Sequence, residues 1–292
     1  MTDHSHKPPD FSRAFALGVL LNVVYVIAQL GFGFYAHSLA LIADAGHNIG
    51  DVLGLVLAWV ASYLVKRPAT PHRTYGWRRT SIMAALFNAA FLFVAVGAIT
   101  WEALRRLNRH DAVDPNIIMW VAAAGVLING ITAWLFMSGR KTDLNIRGAF
   151  LHMTADAAIS VGVVLAGLAI RFTGWFWLDP VTSILINLII VIGTWSLLRE
   201  SFNLATDAVP ESVDLAAVRG YLAHLPEVTA VHDLHVWAMS TTEIALTAHL
   251  VMPAGTAGDH FLREVCDRLH HDFGIEHSTI QIEQNAETCA LA

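Results

Sequence analysis

Six apolar runs fill residues 11–206, at 15–35, 39–65, 81–101, 117–137, 149–171 and 178–198. A helix crosses the hydrocarbon layer of a bilayer in about 20 mainly apolar residues, so each run is long enough to span. From Ala14 to Ala43 there is no Asp, Glu, Lys or Arg. After residue 207 the charges return and the pattern changes. Residues 212–225 read as an amphipathic helix stopped by Pro226, and 228–239 and 242–252 as paired strands rich in Val, Thr, Ile and Leu. A second helix follows at 258–273 and a short strand at 278–283. The expected fold is a membrane all-α six-helix bundle followed by a small α+β domain of order αββαβ. The division is a polar, mobile segment at 1–10, a six-span part at 11–206 and a C-terminal domain at 207–292.

Two of the apolar runs are broken by the same polar device. The second reads Ala-Asp-Ala-Gly-His-Asn-Ile-Gly-Asp from Ala43 to Asp51, and the fifth repeats its His–Asp spacing as His152 and Asp156. Residues four apart stand one turn above each other on one helix face, so His47 and Asp51 share a face, as do His152 and Asp156. A carboxylate at bilayer depth is disfavoured by about 2.5–3.5 kcal/mol on the insertion scale, and such groups need partners. A hydrogen-bonded pair on each helix is one way to supply them. Two matched pairs on separate spans favour another, four ligands closing around one divalent cation. Two imidazole nitrogens and two carboxylate oxygens suit tetrahedral Zn²⁺, whereas Mg²⁺ and Ca²⁺ prefer six or more oxygens. Cd²⁺, Co²⁺ and Ni²⁺ stay open, because ligand type separates neighbouring transition metals poorly. Asp44, one turn before His47, reads as a carboxylate that aligns the imidazole or lines the way in.

These ligands also suggest a transport mechanism. Histidine ordinarily titrates near pH 6.5 and must be deprotonated to bind metal, so protons and metal compete for one site. If the bundle exposes that site to each side in turn, protons arriving from outside expel the metal. Elsewhere in the spans, Asn22, Gln29 and Asn187 read as interhelical hydrogen-bonding residues, and Gly46, Gly50 and Gly54 form a small-residue stripe that lets a neighbouring helix come close.

Composition agrees with a membrane protein. The chain is 55% hydrophobic and 14% charged, with mean hydropathy +0.52, against about 25% charged residues in soluble domains. If the N-terminus is cytoplasmic, that side collects Lys7, Arg13, Lys66, Arg67, Arg73, Arg78, Arg79, Arg140, Lys141, Arg147 and Arg199. The opposite side collects Arg105, Arg106, Arg109 and Arg171. This bias places both termini in the cytoplasm, in the inner membrane if the source is bacterial, although the Arg105–Arg109 cluster runs against it. The first apolar run is too long for a signal-peptide core, so no cleavable leader is expected. The net charge of −6 and the lack of a basic face exclude a nucleic-acid binder. Two cysteines exclude a disulfide framework and fit a reducing compartment for the tail. Cys266 reads as packing on an amphipathic helix, and Cys289 as a single thiolate candidate.

The HxxxD doublet, the phrase Leu-Ile-Ala-Asp-Ala-Gly-His-Asn at 41–48, Tyr-Gly-Trp-Arg at 75–78 and His-Asp-Leu-His-Val-Trp at 232–237 together resemble the cation diffusion facilitator family. The likeness is to its zinc-exporting branch, including the bacterial cobalt–zinc–cadmium resistance exporters, and covers nearly the whole chain. It implies a homodimer, metal/proton antiport out of the cytoplasm, and a metallochaperone-like tail that dimerises and binds regulatory Zn²⁺, with Cd²⁺ and Co²⁺ as further substrates. Carried over, the transport ligands are His47, Asp51, His152 and Asp156. In the tail, His232, His249 and Glu283 fall at family ligand positions, with His235 and His277 as weaker candidates. His4 and His6 are either solvated or, as the resemblance implies, partners of the tail site across the dimer. The loop between the second and third spans, residues 66–73, has His72 and no carboxylate, so the further loop site of some members is expected to be absent or reduced to His72. The paired terminal cysteines of several relatives are represented by Cys289 alone. Two other classes fit the sequence less well. An intramembrane metalloenzyme needs a general base and an open coordination position, as in HExxH, a motif the chain lacks, so no enzyme is expected. A membrane-anchored metal sensor would leave the buried quartet without a purpose.

Overall fold

The structure, a computed structural model, describes residues 12–65, 67–107, 112–137, 144–253 and 258–285. His4, His6 and Cys289 lie outside the described residues. Six long helices come first: α1 (Ser12–Tyr35), α2 (Leu39–Val65), α3 (Thr80–Arg106), α4 (Pro115–Phe136), α5 (Leu144–Thr173) and α6 (Leu178–Ala205). Among the described residues, Thr80–Arg106, Pro115–Leu135, Phe150–Thr173 and Leu178–Ala205 are long and apolar enough to cross a membrane. Val94, Trp120 and Ile192 stand 72%, 74% and 69% exposed. Apolar surface on that scale calls for lipid rather than water.

The helices outrun the apolar stretches where polar side chains extend them. In α3, Glu102 takes Arg106 Nε at 3.0 Å, four residues on, and Arg105 at 3.5 Å. Pairs at this spacing support a helical turn, which carries α3 past Trp101. Arg106 Nη1 also donates to the carbonyl of His37 at 2.7 Å, so this arginine, which counts against the positive-inside bias, has a local structural role. At the start of α4, the Asp114 carboxylate accepts from the N–H groups of Asn116 and Ile117, with Pro115 in the first turn.

The chain divides into two compact units, one running to Leu55 and including Ala89–Trp195, the other combining Val56–Asn88 with the residues from Ser196 onward. In the first, Leu41, Leu92, Val96, Ile118, Val163, Ile186 and Ile190 belong to one buried cluster. The small-residue stripe of α2 meets α3: a Cβ at Gly50 would lie 3.0 Å from Leu92 and one at Gly46 3.4 Å from Ile99. Gly125 of α4 makes room for α1 and α5, since a Cβ there would collide with the Tyr25 hydroxyl and approach Ser160 Oγ. Asn187 of α6 donates to Thr100 Oγ1 at 2.8 Å, and Asn22 of α1 to the Met153 sulfur at 3.5 Å.

In the second unit, α7 (Leu215–Ala223), β1 (Ala230–Ala238), β2 (Ile244–Val251), α8 (Asp259–Phe273) and β3 (His277–Glu283) follow in order. The sheet runs β1-β2-β3, with β1 and β2 antiparallel and β2 and β3 parallel. Val218 and Leu222 of α7, Val265 and Leu269 of α8, and Val236, Leu246 and Leu250 of the sheet form one core. Asp214 caps α7, and Gly274 ends α8 in the left-handed conformation at φ 65°, where glycine is unstrained. The end of the α2–α3 connection and the first turn of α3 meet the turn between β1 and β2 and the residues that follow α6. Arg78 pairs with Glu243 at 3.1 Å, Arg79 pairs with Asp207, and the Thr241 N–H donates to Ser81 Oγ at 3.1 Å.

Candidate metal centre

The i, i+4 spacing that aligns His47 with Asp51 and His152 with Asp156 leaves open whether α2 and α5 turn those faces toward each other. They do. His47 Nε2 lies 3.3 Å from Asp156 Oδ1, and His152 Nε2 lies 3.2 Å from Asp51 Oδ2. These cross-helix distances are shorter than the same-helix ones, 3.7 Å for His47–Asp51 and 3.5 Å for His152–Asp156. One donor atom from each of the four residues lies within 4.8 Å of every other. The imidazoles meet at 77°, with centroids 5.9 Å apart, so they approach a common point from different directions.

The polar atoms test the fit of a cation. Among the described residues, none donates a hydrogen bond to either carboxylate oxygen of Asp156 or to Oδ2 of Asp51, all three of which are buried. A buried, uncompensated carboxylate is strongly disfavoured. Nitrogen and oxygen donors converging without hydrogen-bonding one another are the arrangement that a small divalent cation would satisfy. The site is graded in access, with Asp156 1% exposed and His152 39%.

A layer of support lies beside it. Asp44 is fully buried, and its Oδ2 accepts from Gln29 Nε2 of α1 at 2.6 Å. Gln29 Oε1 accepts in turn from Asn48 Nδ2 at 3.4 Å. Asp44 is therefore tied to α1 and stands outside the four converging donors.

The tail holds a second group. Among the described residues, His232, His249 and Glu283 also present donor atoms within 4.8 Å of one another. His232 and His249 are direct cross-strand partners in β1 and β2, and Glu283 ends β3. Glu283 Oε2 lies 2.8 Å from His232 Nε2, and its Oε1 lies 2.9 Å from His249 Nδ1. Partial burial pushes the Glu283 carboxyl upward, but the hydrogen bonds from His232 and Gln281 and the nearby His249 outweigh it and hold it below the usual range. His235 instead bonds Asp233 at 2.9 Å. His277 stands apart, its ring edge-on to Tyr75 at 5.8 Å, and His72 is exposed on the α2–α3 connection. Cys266 accepts from Ser278 Oγ at 3.1 Å, a packing contact. Sequence reading passed over Asp233, whose nearness to His249 depends on a strand irregularity that no periodicity reveals.

Comparison with known proteins bears on both groups. Residues 15–204 match the cation efflux transmembrane domain, and residues 210–285 match the cytoplasmic domain of cation efflux proteins. The chain is 38% identical over 282 residues to the metal cation efflux system protein CzcD of Cupriavidus metallidurans, spanning 96% of this chain and 89% of the relative. It is 36% identical over 284 residues to the zinc transporter ZitB of Escherichia coli, spanning 96% and 90%. It is 31% identical over 288 residues to the cadmium, cobalt and zinc/H(+)-K(+) antiporter of Bacillus subtilis, spanning 97% and 92%. Since the likeness runs through both the helical and the tail regions at nearly full length, the chain belongs to the cation efflux family, the cation diffusion facilitators.

Proposed function

We propose that the protein exports Zn²⁺ from the cytoplasm in exchange for protons, with Cd²⁺ and Co²⁺ as further substrates. The observation that carries this reading is the convergence of His47, Asp51, His152 and Asp156 from two helices onto one point. In this reading all six long helices span the membrane, both termini are cytoplasmic, and residues 207–292 form a cytoplasmic, metallochaperone-like domain through which two copies pair. The four residues bind the travelling ion directly. Two imidazoles set the preference for borderline-soft cations over Mg²⁺ and Ca²⁺, and their need to be deprotonated couples release of metal to uptake of protons. The names of the relatives, which include zinc transport and proton exchange, favour the same reading. Four protein ligands leave no coordination place for a catalytic water, so the chemistry is carriage rather than hydrolysis.

His232, His249 and Glu283 form a cytoplasmic zinc site in the same proposal, one that senses the ion rather than carrying it. The test is ⁶⁵Zn²⁺ flux into proteoliposomes under an imposed pH gradient. Flux should follow the gradient and vanish in H152A and D51N, while H232A should retain it. Flux indifferent to the gradient, or surviving the loss of transport ligands, would overturn the reading.

A further inference from the structure

His249 is flanked by carboxylates on both of its ring nitrogens. Nδ1 faces Glu283 Oε1 at 2.9 Å, on the side shared with His232, whereas Nε2 faces Asp233 Oδ2 at 3.4 Å. Asp233 is not among the three donors that converge, so it approaches the imidazole from the nitrogen turned away from them. Its other oxygen, Oδ1, takes His235 Nε2 at 2.9 Å.

A regular strand would not allow this. His232 pairs directly with His249, so their side chains share a face, and the next residue along a strand points to the opposite face. Here the β1–β2 register shifts between His232 and His235, and Asp233 takes φ 49°. The left-handed region is sparsely used by residues other than glycine, with Asp and Asn among those enriched there. The irregularity brings the Asp233 carboxylate round to the face that carries His249. A metal-ligating imidazole very commonly gives its second nitrogen to a carboxylate, which fixes the orientation of the ring and strengthens the ligand.

We infer that Asp233 is a positioning residue for the tail metal site, accepting from Nε2–H of His249 so that Nδ1 is held toward the ion beside Glu283 and His232. The inference rests on the tail-site reading above. His235, on the outer oxygen of Asp233, keeps that carboxylate in place in turn.

The experiment uses full-length protein in detergent, with D51N and D156N removing the transport-site carboxylates, and measures Zn²⁺ affinity by chelator competition. D233G should weaken zinc binding about 10- to 100-fold in protein that still folds, because glycine tolerates the left-handed backbone. D233N, which keeps an acceptor oxygen without the charge, should fall between D233G and the parent. At saturating Co²⁺ the visible absorption bands of D233G should match those of the parent, since the ligand set is unchanged. Parent-like zinc affinity in D233G or D233N would overturn the inference, and so would altered cobalt bands, which would make Asp233 itself a ligand. H249A separates the two levels: if it binds zinc like the parent, the tail-site reading fails and this inference with it.

Discussion

The Asp179 carboxylate, on the first turn of α6, accepts at 2.7 Å from the backbone N–H of Leu39, the first residue of α2. Its other oxygen takes the Ser38 hydroxyl at 2.5 Å and the N–H of Ala40 at 3.3 Å, and Ser38 Oγ then accepts from the Leu41 N–H at 3.2 Å. The amides that open a helix have no partner within it. At α2 a neighbouring helix supplies them, and its negative charge also suits the positive end of the helix dipole. The preceding turn is held too, since the His37 carbonyl accepts from Arg106 and the Ala36 carbonyl from the Asp114 N–H at 3.3 Å. The helix that carries His47 and Asp51 is thus fastened at its N-terminal end to α3, α4 and α6.

Replacing Asp179 by alanine should therefore act on α2 rather than on α6. The N–H groups of Leu39 and Ala40 would lose their acceptor in a buried setting, a change worth about 1–3 kcal/mol. D179A should melt at a lower temperature in detergent, with faster amide exchange at Leu39 and Ala40, and S38A should show a smaller effect. Unaltered exchange at the start of α2 would remove the capping role.

The pairing of α2 with α5 was legible because its ingredients are local. HxxxD fixes a helix face, and two such faces in apolar surroundings need each other. Sequence reading also drew α2 with the bounds observed. What escaped it depends on contacts made across the fold. Asp179 looks like an ordinary acidic residue opening its own helix, yet its hydrogen bonds go to a helix 140 residues earlier. Arg106 counted only as a charge on the wrong side until its bond to His37 gave it a position. Asp233 sits next to a predicted ligand, but period-two alternation assigns it to the other face, and only a register shift with a positive φ reverses that.

Gln29 and Asp44 offer a second test inside the helical region. The Gln29 amide donates to a carboxylate that is 1% exposed. Hydrogen bonds to charged groups contribute about 1.5–3 kcal/mol, and removing one partner leaves the other unsatisfied. Q29L should lower the stability of the purified protein by that order, and adding D44L to Q29L should recover part of it. A double variant as damaged as the sum of the singles would show that the two residues act independently. Zinc affinity in Q29L should fall less than in H47A, because Asp44 supports the site without belonging to the quartet.

Selectivity should follow the imidazoles. In the proposed transport site, H47D replaces a nitrogen donor by a third carboxylate, a change toward oxygen-preferring cations such as Mn²⁺. In vesicles loaded with fluorescent reporters, the ratio of Zn²⁺ to Mn²⁺ transport should drop in H47D and H152D. Coupling to the pH gradient should weaken as well, since each variant removes one of the two groups that ordinarily exchange protons near neutrality. An unchanged metal ratio would mean that the cavity, rather than the ligand type, selects the ion.

Acid should dismantle the tail in two stages. Metal-binding imidazoles must be deprotonated, so zinc held at the proposed tail site of His232, His249 and Glu283 should leave first. The carboxylates respond later. The hydrogen bond from His235 lowers the Asp233 pKa against an opposing effect of burial, helped by the neighbouring charges of His235, His249 and His232, and Glu283 is also lowered. A carboxyl whose pKa is lower folded than unfolded contributes stability above its unfolded value and loses it as the pH falls through the folded one. The unfolded values are about 3.9 for Asp and 4.3 for Glu, so this contribution should persist at pH 5 and fade progressively as the pH falls below about 4. Zinc release followed by a chelating dye should therefore precede the loss of tail structure followed by amide exchange in β1 and β3. In D233N the later step should become shallower, because one of the two carboxylates that drive it has been replaced by a group that does not titrate. Coincident release and unfolding in the parent would mean that the metal, rather than these carboxylate–imidazole contacts, holds the ends of the three strands together.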